Sequence, residues 1–336
     1  MQNNKKNEPL QDSEMIKVSR ELFTDGLPLP AEVFTKLASG QYILLGKKAD
    51  KCNLSSLHLA QDKTVEFFVR KTEYSQLISY NLNLIKKTVK NNNLGANVKM
   101  SLLKGITESA ISDLTERGVY VGSYEKCKQI ATFVQETTAQ IKDMDKFIDI
   151  FNSLPGDMVG HSLATSVVSM LICDQMNITM KSTIEKVILG SLLHDIGLKE
   201  IPDEILAKPR YQWTEAELQH YESHTLRGVE LLRDIKEIPS DVLSIVMEHH
   251  ENALGMGYPR RIRDIKIHPL ARIVAVADCF VDLVYDSQKS AAVRKPEEAI
   301  AHIEFAMGQP FNKPAFLALK QVIHLTALQK KMNISS

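Results

Sequence analysis

The sequence lacks closely spaced cysteines and long apolar runs. Its four cysteines, Cys52, Cys127, Cys173 and Cys279, form no CxxC pair, so neither a structural zinc site nor a disulfide framework is predicted. No apolar run reaches the roughly 18 residues that would span a bilayer, and the polar N-terminus contains no apolar signal core. These absences predict a soluble, cytoplasmic protein without a membrane span.

The sequence also lacks an excess of charge of either sign. Lys plus Arg and Asp plus Glu both total 41, so no global field attracts nucleic acid or an anionic membrane. We therefore predict no DNA binding, although a local site for a small phosphate ligand is compatible with this balance. With 336 residues, 44% of them hydrophobic, the chain is long enough for two domains.

The pattern along the chain predicts a mainly α protein. Residues 1–20 resemble a disordered polar tail, and residues 21–152 predict an N-terminal domain with a small sheet, formed by strands at 41–46 and 65–70, followed by helices. Residues 153–336 predict an all-helical C-terminal domain, separated from the first by the turn-forming segment SLPGD.

Several local signals predict helix boundaries within this C-terminal domain. The segment 182–185 resembles a capping box that opens a helix ending at Gly197, with the glycine as its C-cap. The segment 214–217 is a second capping box. The segment 271–285 is apolar around most of its circumference, so we predict a buried helix there.

The C-terminal domain contains a set of histidines and aspartates in helical segments that suits metal binding. A buried carboxylate costs several kcal/mol unless it is paired or coordinates a metal, and no basic residue lies within one helical turn of Asp278. Coordination of a metal would remove this cost for all these groups together. The predicted ligands are His161, His194, Asp195, His224, His249, His250 and Asp278.

Mixed imidazole and carboxylate ligands suit a pair of divalent ions that attack a phosphoester through a bridging hydroxide. Iron or manganese is favoured, but the spacing does not select the metal. The adjacent His249 and His250 complicate this prediction, because neighbours on a helix diverge by about 100°. Both reach metal only where two ions lie at the helix end or where the helix ends there.

These segments, in this order, resemble the HD-GYP family, a bacterial branch of the HD phosphohydrolases. The resemblance covers roughly residues 155–330 and rests on HDIG at 194–197, IPDEIL at 201–206, HTLRGVELL at 224–232, HHE at 249–251, GMGYP at 255–259 and PLARIVAVAD at 269–278. It implies an all-α domain, two or three metal ions, and hydrolysis of cyclic-di-GMP.

The resemblance also implies individual roles. Asp195 would bridge the two ions and, with His194, take part in catalysis. His161, His194 and Asp278 would complete one metal site, and the other would contain His224, His249 and His250. Tyr258 of the GYP loop would contact substrate or pack on the domain, and the loop would offer a surface to a protein partner. Asp157 would be a third-metal ligand or a helix cap.

The sequence departs from the family at positions that handle substrate. The usual lysine after HDIG is Leu198, with Lys199 one residue late, and the usual acid after the last metal aspartate is Val281. The family's RPYR segment is SQKS at 287–290, where Lys289 offers phosphate a point charge but no bidentate contact. We therefore expect reduced or altered activity on cyclic-di-GMP or a related phosphodiester.

Two further hypotheses remain open. The chain could be a non-catalytic signalling or scaffold protein that keeps the metals for its stability, or a plain helical domain with fortuitous histidines, which would bind no metal. If the chain is a phosphodiesterase, as the resemblance implies, its N-terminal domain is a regulatory or sensory module. The sequence shows no ligand motif in that domain.

Overall fold

The computed structural model describes residues 10–53, 65–91, 96–115, 120–138, 152, 157–285 and 293–333. Contacts divide the chain into two compact units, Met1–Ser109 and Ala110–Ser336. The predicted domain boundary between residues 152 and 153 adjoins 139–151 and 153–156, which lie outside the described residues, so it stays a prediction. The predicted fold class, mainly α with a small N-terminal sheet, is confirmed.

The first unit contains a four-stranded antiparallel sheet. The strands are β1 (Met15–Val18), β2 (Val33–Lys36), β3 (Tyr42–Gly46) and β4 (Phe67–Arg70), in the order β1-β4-β2-β3. Met15, Phe34 and Phe68 form an apolar cluster on one face. The predicted strands correspond to β3 and β4, whereas β1 and β2 were not predicted.

The polar tail was predicted to extend to residue 20, and this limit is wrong. Asp12–Glu14 form a 3-10 helix, and β1 pairs along its whole length with β4. Met15 and Val18 are buried in the sheet, so these two apolar side chains order a segment whose neighbours are mostly polar. Two helices follow the sheet, α1 (Lys71–Asn91) and α2 (Ala96–Thr115), and α2 runs across the division between the units.

The described residues of the second unit form helices joined by loops and contain no β-strand. Its helices are α3 (Tyr120–Thr138), α4 (Met158–Gln175), α5 (Lys181–Leu193), α6 (Asp203–Leu206), α7 (Glu215–Glu222), α8 (His224–Leu232), α9 (Ser240–Glu248), α10 (Pro269–Val284), α11 (Pro296–Ala301) and α12 (Lys313–Asn333). Helices α4 and α5 pack against each other, and α10 packs against α4. Helix α9 packs against both α5 and α8. No helix among the described residues is both long and apolar enough to cross a bilayer.

Local capping agrees with the sequence in one case and differs in another. Thr214 and Glu217 form the predicted capping box at the start of α7. By contrast, α5 begins after Met180 without a side-chain cap and ends at Leu193, and Gly197 lies in a following 3-10 helix, Ile196–Glu200. The predicted C-cap role of Gly197 is therefore wrong. This earlier end of α5 places His194 and Asp195 at the junction of two helices.

Candidate metal centre

Helices α4 and α10 bring together two side chains that are 117 residues apart in the sequence. His161 is fully buried one turn into α4, and Asp278 is buried on α10. The Nε2 atom of His161 lies 2.8 Å from Oδ1 of Asp278. Because α10 is apolar on both sides of Asp278, the carboxylate is held inside the bundle, where it needs charged or metal partners.

The remaining predicted ligands come from helix ends. His194 ends α5, and Asp195 begins the 3-10 helix Ile196–Glu200. His224 starts α8. Helix α9 ends at Glu248, so His249 is its C-cap and His250 lies beyond the regular helix. The two rings are consequently only 4.1 Å apart between centroids, which resolves the difficulty that adjacent helical residues would diverge.

Asp195 lies between two groups of imidazoles. Its Oδ2 is 3.5 Å from Nε2 of His194, and its Oδ1 is 3.4 Å from Nε2 of His224 and 3.7 Å from Nε2 of His249. The side chain is only 1% exposed. A carboxylate with one oxygen directed to each group has the geometry of a ligand that bridges two ions.

The side chains form overlapping groups whose ligand atoms lie within 4.8 Å of one another. One group contains His161, His194 and Asp195, and a second contains Asp195, His224, His249 and His250. Asp278 joins the two, since its Oδ1 is 3.4 Å from Nε2 of His194 and its Oδ2 is 3.6 Å from Nδ1 of His250. All seven predicted ligands therefore meet in one cluster; that they bind metal stays a prediction.

Three of the imidazoles are oriented by the main chain. In each, Nδ1 lies 2.7–2.9 Å from the carbonyl oxygen three residues earlier. A carbonyl only accepts hydrogen bonds, so Nδ1 carries the proton, and in the neutral ring Nε2 presents its lone pair to the cluster. The three residues are His194, His224 and His249.

This orientation leaves two lone pairs facing each other. Nε2 of His224 lies 3.2 Å from Nε2 of His249, although the Nδ1 atom of each ring is already directed at a carbonyl oxygen. Two neutral rings in this arrangement have no proton to share at Nε2. A cation between the two nitrogen atoms, or an added proton, removes the repulsion.

The protonation of the cluster without metal follows from its burial and its carboxylates. Burial lowers the pKa of His194, but Asp195 and Asp278 together raise it to about 9. Burial and the neighbouring His249 hold the pKa of His250 well below its ordinary value. Burial opposes ionisation of Asp278, yet hydrogen bonds from His161 and His194 lower its pKa well below the usual range. The metal-free cluster thus pairs protonated imidazole with carboxylate.

The donors fit a pair of transition-metal ions. Among the described residues, Nε2 of His250 is buried without a hydrogen-bond partner, and a buried nitrogen atom without a partner costs about 1–3 kcal/mol. Five imidazoles and two carboxylates suit iron, manganese, cobalt, nickel or zinc. The cluster therefore fits a dinuclear site, and the identity of the metal stays open.

The other predicted site residues have different outcomes. Asp157 caps α4, because its carboxylate accepts a hydrogen bond from the Gly160 N–H at 2.9 Å, and it belongs to none of the ligand groups found among the described residues. The Tyr258 ring packs against His250 at 4.6 Å between centroids. Lys289 lies outside the described residues, so its substrate role stays a prediction.

Two of the positions that depart from the family pattern, Leu198 and Val281, are apolar and buried. Leu198 packs in a cluster with Ile201 and Tyr221, and Val281 is only 1% exposed. The neighbouring Lys199 is exposed on the 3-10 helix. An apolar side chain at each of these positions avoids a buried charge without its partner, but Leu198 cannot provide the phosphate contact that a lysine would make there.

Asp282 is a residue of this cluster that the sequence did not indicate. It lies one turn after Asp278 on α10, and its Oδ1 is 3.5 Å from Nδ1 of His161. His161 is thereby distinguished from the three imidazoles oriented by carbonyls, because the group nearest its Nδ1 is a carboxylate. The signal was available as a spacing of four residues from Asp278, which places both side chains on the same helix face.

We expect Asp282→Ala to weaken binding at one metal site by about 10- to 100-fold, because a carboxylate beside a ligating histidine orients its ring and raises its basicity. Asp282→Asn, which keeps an acceptor, should recover part of the loss. Metal titration followed by stoichiometry would measure the effect. Glu304→Ala is the control, since Glu304 is similarly exposed and pairs with Lys320 away from the cluster. Equal affinities in Asp282→Ala and the control would contradict this role.

A buried glutamate holds the loop after the two adjacent histidines. The carboxylate of Glu251 accepts hydrogen bonds from the N–H of Arg260 at 2.7 Å and of Ile262 at 3.0 Å. The Tyr258-Pro259 peptide bond in this loop is cis, and Gly257 lies so close to the backbone of His250 that a Cβ atom would overlap its carbonyl oxygen. The loop that contains Tyr258 is therefore fixed against the cluster.

Replacing Glu251 by Gln should destabilise the protein by about 1.5–3 kcal/mol, since charge-assisted hydrogen bonds are lost and the amide NH2 meets an N–H donor. Urea unfolding would give the free energy, and trypsin cleavage after Arg260 and Arg261 should become faster. Glu230→Gln, at an exposed position of α8, should leave both measurements unchanged. An unaltered cleavage rate for Glu251→Gln would show that the carboxylate does not hold the loop.

Removing bound metal should lower the thermal stability of the native protein. A ligand at 1,000 times its dissociation constant stabilises the folded state by about 4 kcal/mol, which corresponds to roughly 8–16 °C in a unit of this size. Scanning calorimetry before and after chelation would test this, and adding Mn²⁺ should restore the midpoint. Chelator saturated with zinc beforehand controls for ionic effects. A midpoint unaffected by chelation would favour the hypothesis of fortuitous histidines.

Comparison with known proteins agrees with the fold and the cluster. Residues 146–312 match the family model of the HD domain. Over 93% of its length, the chain has the fold of Bd1817, an HDG"Y"P protein from Bdellovibrio bacteriovorus, with a TM-score of 0.72, 18% identity and the whole of that chain covered. The helical bundle and its buried cluster thus define the class: the chain is an HD-domain protein.

Within this class, the chain is related to the HD-GYP cyclic-di-GMP phosphodiesterases. It is 32% identical over 220 residues to the cyclic di-GMP phosphodiesterase of Thermotoga maritima, covering 61% of this chain and 59% of that protein. It is 28% identical over 159 residues to the cyclic di-GMP phosphodiesterase PA4108 of Pseudomonas aeruginosa, covering 46% of this chain and 38% of that protein. Each match thus spans less than two thirds of the relative's own length.

Proposed function

We propose that this chain is a two-metal phosphodiesterase of cyclic dinucleotide signalling, with reduced or altered activity on cyclic-di-GMP. The observation that carries the proposal is the pair of facing Nε2 atoms of His224 and His249, 3.2 Å apart, beside the buried carboxylate of Asp195. Such an arrangement suits cations far better than neutral rings. The relatives named above supply the substrate class.

The roles of the protein groups follow from their positions. Asp195 holds both halves of the site together, His161, His194 and Asp278 form one half, and His224, His249 and His250 form the other. When bound, two divalent ions provide Lewis acidity and an activated nucleophile from water. Main-chain carbonyls keep the Nε2 atoms of three rings directed inward, so the ligands need little rearrangement when metal enters.

The buried Leu198 and Val281 support the part of the proposal that concerns reduced activity. In place of a lysine that would contact phosphate, Leu198 packs with Ile201 and Tyr221. The same observation favours a second candidate, a metal-bound signalling protein that binds a ligand without turnover. In both cases residues 21–152 would form the regulatory module. The loop around Tyr258 exposes 71% of Met256, which suits the predicted partner surface.

Hydrolysis assays on the metal-loaded full chain separate these candidates. Protein reconstituted anaerobically with Fe²⁺, and separately with Mn²⁺, would be incubated with cyclic-di-GMP and with bis(p-nitrophenyl) phosphate. Turnover of either compound that is abolished by chelation and restored by metal supports the enzyme. Binding of cyclic-di-GMP without turnover of either compound under both metals supports the second candidate. Absence of bound metal after reconstitution would exclude both.

A further inference from the structure

An arginine near the cluster lies beside a pair of aromatic rings that contact each other. Arg210 lies in the 3-10 helix Arg210–Gln212, and its guanidinium carbon is 6.0 Å from the ring centroid of Trp213 and 5.8 Å from that of Tyr221. The indole N–H of Trp213 donates to the carbonyl oxygens of Ile205 at 3.0 Å and Lys208 at 3.1 Å. Cation–π contacts with fixed rings restrict the guanidinium without using its N–H groups.

The donors of Arg210 are not used by a carboxylate within the described residues. Glu217, in the first turn of α7, pairs with Lys208 and forms the capping box with Thr214. Some other arginines of the second unit do have an acidic partner, for example Arg260 with Glu248. Arg210 itself is exposed. A guanidinium that is positioned by rings and carries five N–H donors is suited to a ligand with two adjacent acceptor atoms.

The position of Arg210 relates it to the metal centre. The Tyr221 ring that it contacts is 5.1 Å from the ring of His224, one of the predicted ligands. The Tyr258 ring is 6.0 Å from His224, and its hydroxyl is buried without a hydrogen-bond partner among the described residues. The Tyr258 hydroxyl therefore belongs to a ring beside the His224 half of the cluster, and Arg210 lies one ring further out on Tyr221.

We infer that Arg210 binds the cyclic dinucleotide at a pair of acceptor atoms outside the bond being cleaved, with the Tyr258 hydroxyl beside it. This inference rests on the proposed function and adds a recognition residue to it. Two parts of the ligand offer such acceptors: the oxygens of the second phosphate, and O6 with N7 of a guanine. The family has arginines at the positions of Ser287 and Ser290, and a serine cannot make their bidentate contact. Arg210 would make such a contact instead.

The experiment compares Arg210→Ala with the unmodified full chain, both loaded with Mn²⁺. Dissociation constants for cyclic-di-GMP and cyclic-di-AMP would be measured by calorimetry, together with KM and kcat for every compound turned over, including bis(p-nitrophenyl) phosphate. We expect about 10- to 100-fold weaker dinucleotide binding in Arg210→Ala. Turnover of the small diester should be unchanged, because it lacks both a second phosphate and a guanine. Arg210→Lys should recover only part of the binding, because it keeps the charge without the planar fork.

The control is Arg233→Ala, which removes an exposed arginine just beyond the end of α8, opposite the His224 end. It should bind both dinucleotides as the unmodified protein does. Melting temperature and metal content should be equal in all variants, which excludes a structural cause.

The two dinucleotides distinguish the acceptors. Equal losses for cyclic-di-GMP and cyclic-di-AMP indicate the second phosphate, and a loss confined to cyclic-di-GMP indicates guanine. A change below twofold for both overturns the role of Arg210 while leaving the proposed function intact. Absence of dinucleotide binding by the unmodified protein, with turnover of the small diester, also overturns the inference but keeps the two-metal chemistry. Absence of any binding or turnover would remove the proposed function as well.

Discussion

Replacing Asp195 by Ala is expected to reduce the metal content from two ions per chain to less than one and to lower phosphodiester turnover on the order of 10³-fold or more. Loss of a single stabilising donor in an active site already costs about 10²–10³-fold, and Asp195 is shared by both halves of the cluster. Elemental analysis of the purified variant and assays under saturating Mn²⁺ would measure the two effects. Asp195→Asn should behave similarly, because the neutral amide keeps the shape but not the charge.

The fold should survive this change. In the metal-free protein the carboxylate of Asp195 raises the pKa of His194, so its removal takes away the cost of a buried charge together with a favourable ion pair. The melting temperature of metal-free Asp195→Ala should therefore fall by only a few degrees relative to the metal-free parent, and added metal should not raise it. Asp234→Ala, at an exposed position, should keep two ions and full activity. Two ions retained in Asp195→Ala would contradict the bridging role.

The second large effect is expected at Gly197. A Cβ atom at this position would overlap the carbonyl oxygen of His224 and lie 2.6 Å from the backbone nitrogen of Gly228. Backbone atoms cannot rotate away as a flexible side chain can, so α8 would have to move off the 3-10 helix. We expect Gly197→Ala to destabilise the protein by about 3 kcal/mol or more, with loss of metal because His224 is displaced.

Urea unfolding and metal analysis would test this, with Gly308→Ala as the matched control. Gly308 has a positive φ of 70°, but a Cβ atom there meets nothing within 4 Å, so the cost should be about 1–2 kcal/mol from the backbone alone. The control should keep its metal. A Gly197→Ala protein that is as stable as the control and fully loaded would show that this close approach is not required.

The sequence was most informative where chemistry restricts the choice of residue. Carboxylates in apolar helices and histidines in helical segments indicated the seven predicted ligands that meet in the cluster, but not Asp282. The sequence was least informative where tertiary contacts decide. The strand β1 lies within a polar segment, and its pairing with β4 depends on residues about 50 positions away. Gly197 resembles a helix cap in sequence, yet its lack of a side chain allows α8 to pack closely against the 3-10 helix that contains it.

Asp282 and Arg210 illustrate the same limit within the site. The closeness of Asp282 to His161 requires α10 to pack on α4, and no pattern local to either helix reports that packing. Arg210 becomes notable only when the Trp213 and Tyr221 rings are seen beside it. Neither residue belongs to the motifs on which the resemblance rests, so the resemblance did not indicate them.

The anchoring of three imidazoles on carbonyl oxygens three residues earlier has a consequence for protein engineering. The aim of these rings is encoded by helix geometry rather than by other side chains, because every residue type supplies the same carbonyl oxygen. The other side chains around the cluster can therefore be exchanged to suit another phosphoester while the rings keep their direction. His161 is the exception, because its Nδ1 faces the carboxylate of Asp282 on α10. Such a redesign should therefore keep Asp282.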